Sequence, residues 1–347
     1  NSWYKGTQLM SELNKIASKI LENGKGILAA DESTGTMTKR LQSVNIDSTP
    51  ENRILFRETL FSSDSMRENI GGVILFDETI KQSANNGKKI PKLLSDIGSL
   101  TGIKVDTGAK QMAGSPDEKI TEGLDGLRER LDEYYSIGAS FAKWRAVINI
   151  TEDTPSDYAI STNSQALARY SALCQESGLV PIVEPEVLMD GENAKHNIDE
   201  CKLVTSKVLQ SVFEELSSAR VDLDGIILKP NMVIQGKNCD EKATPMEVAK
   251  QTLDCLEQNV PTSVAGICFL SGGQTDLQAT EHLSIMNSLK EINHTLTFSY
   301  GRALQQSALI AWSGKDENIK DAQNAFAHRA HMNGLASIGQ WSIELDQ

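Results

Sequence analysis

Eight short apolar runs, each followed by sequence of helical period, constrain this chain more than any other feature. The runs are 26–31, 72–78, 102–106, 140–150, 181–186, 225–231, 266–273 and 296–302. Most open at Gly or Pro, as bounded strands do. Their starts lie roughly 30 to 46 residues apart, room for a strand, a helix and two loops. Strands alternating with helices predict a parallel sheet, and eight units predict closure into an α/β fold of the (β/α)8 TIM-barrel type rather than an open doubly wound sheet. Gly24 and Gly26 precede the first run instead of following it, the wrong side for a dinucleotide turn.

The intervening segments carry apolar stripes. Leu124, Leu127, Leu131 and Tyr135 form one, and Val204, Val208, Val212 and Leu216 another. Leu9, Leu13, Ile16, Ile20 and Leu21 predict an extra helix before the first strand, and a second extra helix is expected at about 315–333. No linker is long enough to divide the chain. The expectation is one barrel domain over 1–347: an N-terminal helix within 1–25, the barrel at 26–314, and a C-terminal helix with a truncated or shortened tail at 315–347.

A net charge of −13 argues against a nucleic-acid partner. It also requires local cations wherever an anion is to bind. No apolar run approaches the ~18 residues of a membrane span, and no charged-then-apolar signal pattern opens the chain. Cys174, Cys201, Cys239, Cys255 and Cys268 are an odd set without CxxC spacing. They predict reduced thiols in a cytoplasmic protein.

Three lysines end apolar runs: Lys104 in GIKVD, Lys143 in SFAKWRAVINI and Lys229 in GIILKPN. Lysine is rarely buried unless paired or used. Burial or a second cation lowers its pKa and supplies the neutral amine that attacks a carbonyl. Barrel sites lie at the carboxyl ends of the strands. There stand Asp31, Asp77, Glu78, Asp106, Arg145, Glu184, Glu186, Ser271, Ser299 and Arg302 as well. Period two puts Lys143 with Arg145, Lys104 with Asp106, and Glu184 with Glu186 on shared faces. Such charges form either a paired structural network or a binding site.

Lys229 reads as the nucleophile, because its same-face neighbours Ile227 and Asn231 are uncharged. A snorkelling or salt-bridged lysine is the alternative. Lys143 beside Arg145 reads as a charge stabiliser, and Lys104 beside Asp106 as a protonated cation. Imine formation needs acid and base help. The crowded Glu184 and Glu186 can supply it. Asp31 either takes a hydroxyl proton or caps a helix with Ser33 and Thr34. Ser271-Gly272-Gly273-Gln274 and Ser299-Tyr300-Gly301-Arg302 occupy the usual phosphate loops of such barrels. Ser33, Thr36, Lys39 and Arg40 either hold a second phosphate or start a solvated helix. Of the five histidines, His328 and His331 lie one turn apart, but no carboxylate or Cys completes a set. Neither a metal nor a cofactor is expected.

GKGILAADESTG, GGVILF, GIKVD, GLDGL, FAKWR, LARY, PIVEPE, LKPNMV, FLSGGQ and LTFSYGRALQ, in that order over about 25–335, closely resemble class I fructose-bisphosphate aldolases. The resemblance implies a glycolytic, metal-independent lyase, usually a homotetramer, that reversibly cleaves fructose 1,6-bisphosphate into two triose phosphates. It implies Lys229 as the Schiff-base lysine and Glu184 as its proton carrier. Asp31 would stand near the C4 hydroxyl, Lys143 would polarise with Arg145 as its neighbour, and Glu186 would support Lys143. The resemblance assigns Ser271, Gly272, Gly301 and Arg302 to one phosphate site and Ser33, Lys104 and the Lys39-Arg40 pair to the region of the other; Thr36 stands where the family often has Ser, and Ser299 is expected to bind substrate as well. A second, non-catalytic role as a cytoskeletal or adhesin adaptor, through actin or adhesin-tail contacts, is the alternative. The family's flexible tail ending in Tyr has no counterpart in SIGQWSIELDQ, so these residues leave bisphosphate and monophosphate preference open.

Overall fold

The computed structural model describes residues 12–191 and 194–347. Eight parallel strands close into a barrel. In chain order the strands among the described residues are β1 (Gly26–Ala30), β2 (Ile70–Leu75), β3 (Leu100–Lys104), β4 (Gly108–Met112), β5 (Ser115–Glu122), β6 (Ala139–Ile148), β7 (Val180–Val187), β8 (Ile227–Leu228), β9 (Gly266–Phe269) and β10 (Leu296–Tyr300). The barrel runs β1-β10-β9-β8-β7-β6-β3-β2, and β4 and β5 pair as a separate antiparallel hairpin. Barrel strands are buried on both faces, which is why each reads as a continuous apolar run.

Residues 12–20 are helical and close the amino end of the barrel. Leu13, Ala17, Ile20 and Leu21 pack with Ile27, Ile74, Phe141, Ile182 and Ile227 in one apolar cluster. Leu9 lies outside the described residues. The strand-initiating glycines make this floor possible. A Cβ on Gly71 would stand 2.1 Å from the Ile20 carbonyl oxygen, and one on Gly266 would stand 2.3 Å from Leu21 Cδ1. The second extra helix, Ile319–Ser337, packs outside the barrel against the helices Arg302–Trp312 and Asp276–Leu289.

The structure departs from the sequence expectations in three places. The 108–122 hairpin has no apolar run to announce it, because its buried residues include Glu118 and Thr121. Glu118 is satisfied by the Ser156 backbone N–H, 2.6 Å, and by the Ser115 and Ser156 hydroxyls. β8 is two residues long rather than seven, since 223–225 form a 3-10 turn and Pro230 has no N–H to donate. Tyr135 is 57% exposed, and Tyr134 takes its place on the core face. The helix starts at Leu127, and seven residues at 3.6 per turn bring Tyr134 to about 20° from it, while Tyr135 sits about 80° away. No described helix is long and apolar enough to cross a membrane.

Candidate active site

The carboxyl ends of the strands open into a cavity of about 290 Å3. Parallel register builds its charged wall: Lys104 stands beside Lys143 across β3 and β6, and Arg145 beside Glu184 across β6 and β7. Lys229 follows β8 directly, and its backbone N–H still donates to Val183 O at 2.8 Å. The last ladder bond thus fixes the root of a lysine whose side chain is 5% exposed.

Asp31, Lys143, Glu184 and Lys229 form one buried chain of charge. Lys143 Nζ lies 2.6 Å from Asp31 Oδ2 and 3.4 Å from Glu184 Oε2. Glu184 Oε1 faces Lys229 Nζ at 3.6 Å. Burial works to raise the Asp31 carboxyl, yet Lys143, Lys229 and Lys104 together hold it down at about 2. Burial works in the other direction on Lys143, and the carboxylates of Asp31, Glu184 and Asp106 overcome it, holding this ammonium well above its ordinary value. Lys143 is therefore a fixed cation. Among the described residues Lys229 makes a single, longer carboxylate contact, to Glu184. Among the described residues Glu184 Oε2 is buried without a hydrogen-bond partner, so the carboxylate between the two lysines keeps an unused acceptor.

Arg145 Nε pairs with Glu186 Oε2, and the Arg145 backbone N–H donates to Asp106 Oδ2 at 3.2 Å. Burial pushes the Glu186 carboxyl up against the pull of Arg145, and nearby Glu184 adds to the rise. Glu186 is thus the partner of Arg145, and no ion pair joins it to Lys143 among the described residues. Gly272 owes its lack of a side chain to this carboxylate, since a Cβ there would lie 2.8 Å from Glu186 Oε1.

The remaining predicted residues divide. Ser271, Gly272, Ser299, Gly301 and Arg302 line one side of the cavity. Gly301 caps the helix Arg302–Trp312 without a side-chain acceptor, leaving first-turn N–H groups for an anion. The Arg302 fork turns onto Asp276 Oδ1, 3.2 Å, and Gln274 O, 2.7 Å. On the other side lie Ser33, Thr36, Arg40 and Lys104. Ser33 rather than Asp31 caps the helix Thr34–Gln42, accepting from the Thr36 N–H at 3.3 Å. Lys104 reaches Asp106 at 3.8 Å. Lys39 is exposed and does not line the cavity. Asp77 and Glu78 turn away from the mouth: Asp77 meets Lys81 and the Tyr134 hydroxyl, and Glu78 pairs with Arg53. Glu32, Asp190 and Leu270 line the cavity without having been singled out. A charged residue directly after Asp31 was the available signal for Glu32. A larger cleft of about 700 Å3 adjoins at Gly273 and Arg302 but lacks the lysine–carboxylate cluster. Among the described residues no group of His, Cys, Asp and Glu could hold a metal ion.

Fold and mouth together define a (β/α)8 enzyme whose cavity holds a lysine–carboxylate cluster, with Arg302 at one part of its lining and Arg40 and Lys104 at another. The family model described as fructose-bisphosphate aldolase class-I matches residues 12–347. The chain is 52% identical over 334 residues to a probable fructose-bisphosphate aldolase class 1 of Xanthomonas campestris pv. campestris, covering 96% of this chain and 99% of the relative. It is also 52% identical over 331 residues to fructose-bisphosphate aldolase B of Gallus gallus, covering 95% and 90%. A solved fructose-bisphosphate aldolase from Plasmodium falciparum, in a ternary complex with TRAP and a small-molecule inhibitor, superposes with a TM-score of 0.93 at 44% identity over 96% of each chain. The chain belongs to the class I fructose-bisphosphate aldolase family, the metal-independent type of this lyase.

Proposed function

We propose that this chain cleaves fructose 1,6-bisphosphate reversibly into dihydroxyacetone phosphate and glyceraldehyde 3-phosphate, with Lys229 as the Schiff-base nucleophile. The carrying observation is Glu184, set between a fixed cation, Lys143, and the less paired Lys229. The Lys229 amine adds to the C2 carbonyl, Glu184 relays the protons, and water leaves to give an iminium. The iminium withdraws the C3–C4 bonding pair. Asp31, ionised at neutral pH, accepts the C4 hydroxyl proton as that oxygen becomes the aldehyde carbonyl. The ketose half stays behind as an enamine, which is protonated and hydrolysed off Lys229. Lys143 stabilises negative charge developing on oxygen.

Asp31 acts at C4, and Ser33 with Thr36 and Arg40 of the helix it caps follow directly. That side therefore suits the phosphate on the C4–C6 side, leaving the Ser271, Gly272, Gly301 and Arg302 side for the phosphate beside C2. Two grips convert binding energy into alignment of the reacting bond. The chain would act as one barrel unit within a cytoplasmic homotetramer. Free cysteines, four of five buried, fit a reducing compartment. The adaptor alternative gains nothing from the geometry, since a docking scaffold has no use for a buried lysine–carboxylate chain.

Incubation with dihydroxyacetone phosphate and borohydride, followed by peptide mapping, tests the reading. The expected adduct is on Lys229. An adduct on Lys104 or Lys143 reassigns the nucleophile, and no adduct overturns the Schiff base.

A further inference from the structure

Asp31 and Glu32 follow β1 and both line the cavity, but they take different partners. Asp31 meets Lys143, while Glu32 belongs to a second polar cluster. Its carboxylate accepts from Arg40 Nη1 at 2.7 Å and from Gln305 Nε2 at 2.7 Å, and stands 3.5 Å from Arg57 Nη2. Arg57 is fully buried. Its Nη2 also donates to the Glu32 backbone oxygen at 2.8 Å, and its Nη1 to the Thr79 hydroxyl at 2.8 Å. A buried guanidinium is expensive to keep unless its position matters or its partners fully compensate it, and among the described residues Arg57 Nε has no hydrogen-bond partner.

We infer that Arg57, acting through Glu32, is a positioning residue for the grip on the C6-side phosphate. The bond to Glu32 O fixes the peptide that leads into Ser33, and Ser33 begins the helix carrying Thr36 and Arg40. The Glu32 carboxylate holds the Arg40 guanidinium at the cavity wall. One buried cation therefore sets both ends of the first-strand loop: the hydroxyl at its start and the guanidinium one helical stretch later. Gln305 ties the same carboxylate to Ala29 O, 2.9 Å from its amide nitrogen, so the register of β1 is held from the opposite side. Asp31 is left to the chemistry, and its neighbour serves the substrate's far end.

This rests on the two-grip reading above, and the test separates them. Steady-state kinetics are measured with fructose 1,6-bisphosphate and with fructose 1-phosphate, which lacks the C6 phosphate. Arg57→Lys and Glu32→Gln should each lower kcat/KM for the bisphosphate by about tenfold, mainly through KM. Either variant should change fructose 1-phosphate by less than about threefold. Equal losses on both substrates would mean a general structural role and overturn the inference, as would no loss on either. Should Arg57→Lys fail to fold, Glu32→Gln decides. Arg40→Ala is run beside them. If it weakens the bisphosphate and neither positioning variant does, only the inference fails; if it too spares the bisphosphate, the two-grip reading fails and takes the inference with it.

Discussion

Glu184 Oε1 stands 3.6 Å from Lys229 Nζ, beyond a hydrogen bond but well inside ion-pair range. A shift of a few tenths of an ångström closes the contact, so proton transfer between them requires no rearrangement of the barrel. Glu184→Gln keeps the shape and removes the proton. It should lower kcat by about 10²–10⁴ and slow borohydride trapping in parallel. Trapping at the wild-type rate would remove Glu184 from imine formation.

Lys229→Ala should abolish cleavage while leaving far-ultraviolet circular dichroism and thermal unfolding close to wild type. The lost side chain contacts only one carboxylate, at long range, whereas Lys143 binds Asp31 closely. A variant that still turns over the bisphosphate at the normal rate contradicts the assignment.

Asp31 titrates at about 2 in the fold against an ordinary 3.8. A depressed carboxyl contributes stability that is complete above the unfolded value and lost as pH falls through the folded one. The window is therefore roughly pH 4 to 2, and the contribution at neutral pH is about 2 kcal/mol. Urea unfolding of Asp31→Asn should show that deficit at pH 7 and about half of it at pH 3. A deficit that stays constant between the two would assign it to packing instead.

Asp346 gathers Arg329 Nη1, His328 Nε2 at 2.7 Å and Trp341 Nε1 at 2.8 Å around a side chain 1% exposed. Burial favours its neutral form, but these donors hold the carboxyl below its ordinary value. Asp346→Ala strands the largely buried Arg329 and should cost about 3 kcal/mol. Trp341 fluorescence and the unfolding midpoint report it together. An unchanged midpoint would mean that Thr280, which also accepts from Arg329, suffices.

The barrel was legible because its strands are apolar on both faces and bounded by Gly or Pro. The 108–122 hairpin was not, since polar residues fill its inner positions. Alternation along single strands was enough to bring Lys143, Glu184 and Lys229 to one mouth. It could not find the Glu32 cluster. Its partners Arg57 and Gln305 come from 25 and 273 residues away, where no local pattern links them. Lys39 misled for the opposite reason: it neighbours Arg40 in sequence, but on a helix adjacent residues point about 100° apart.

The floor laid by residues 12–20 against Gly71 and Gly266 has its own consequence. The two ends of the barrel answer to different demands. At the base, even a methyl group must displace the Ile20 main chain at Gly71 or the Leu21 side chain at Gly266, so tolerance there is measured in single atoms. At the rim, whole loops can lengthen or change sign without touching that seal. Novelty in what such a molecule accepts can accumulate at one pole while its resistance to heat is kept at the other.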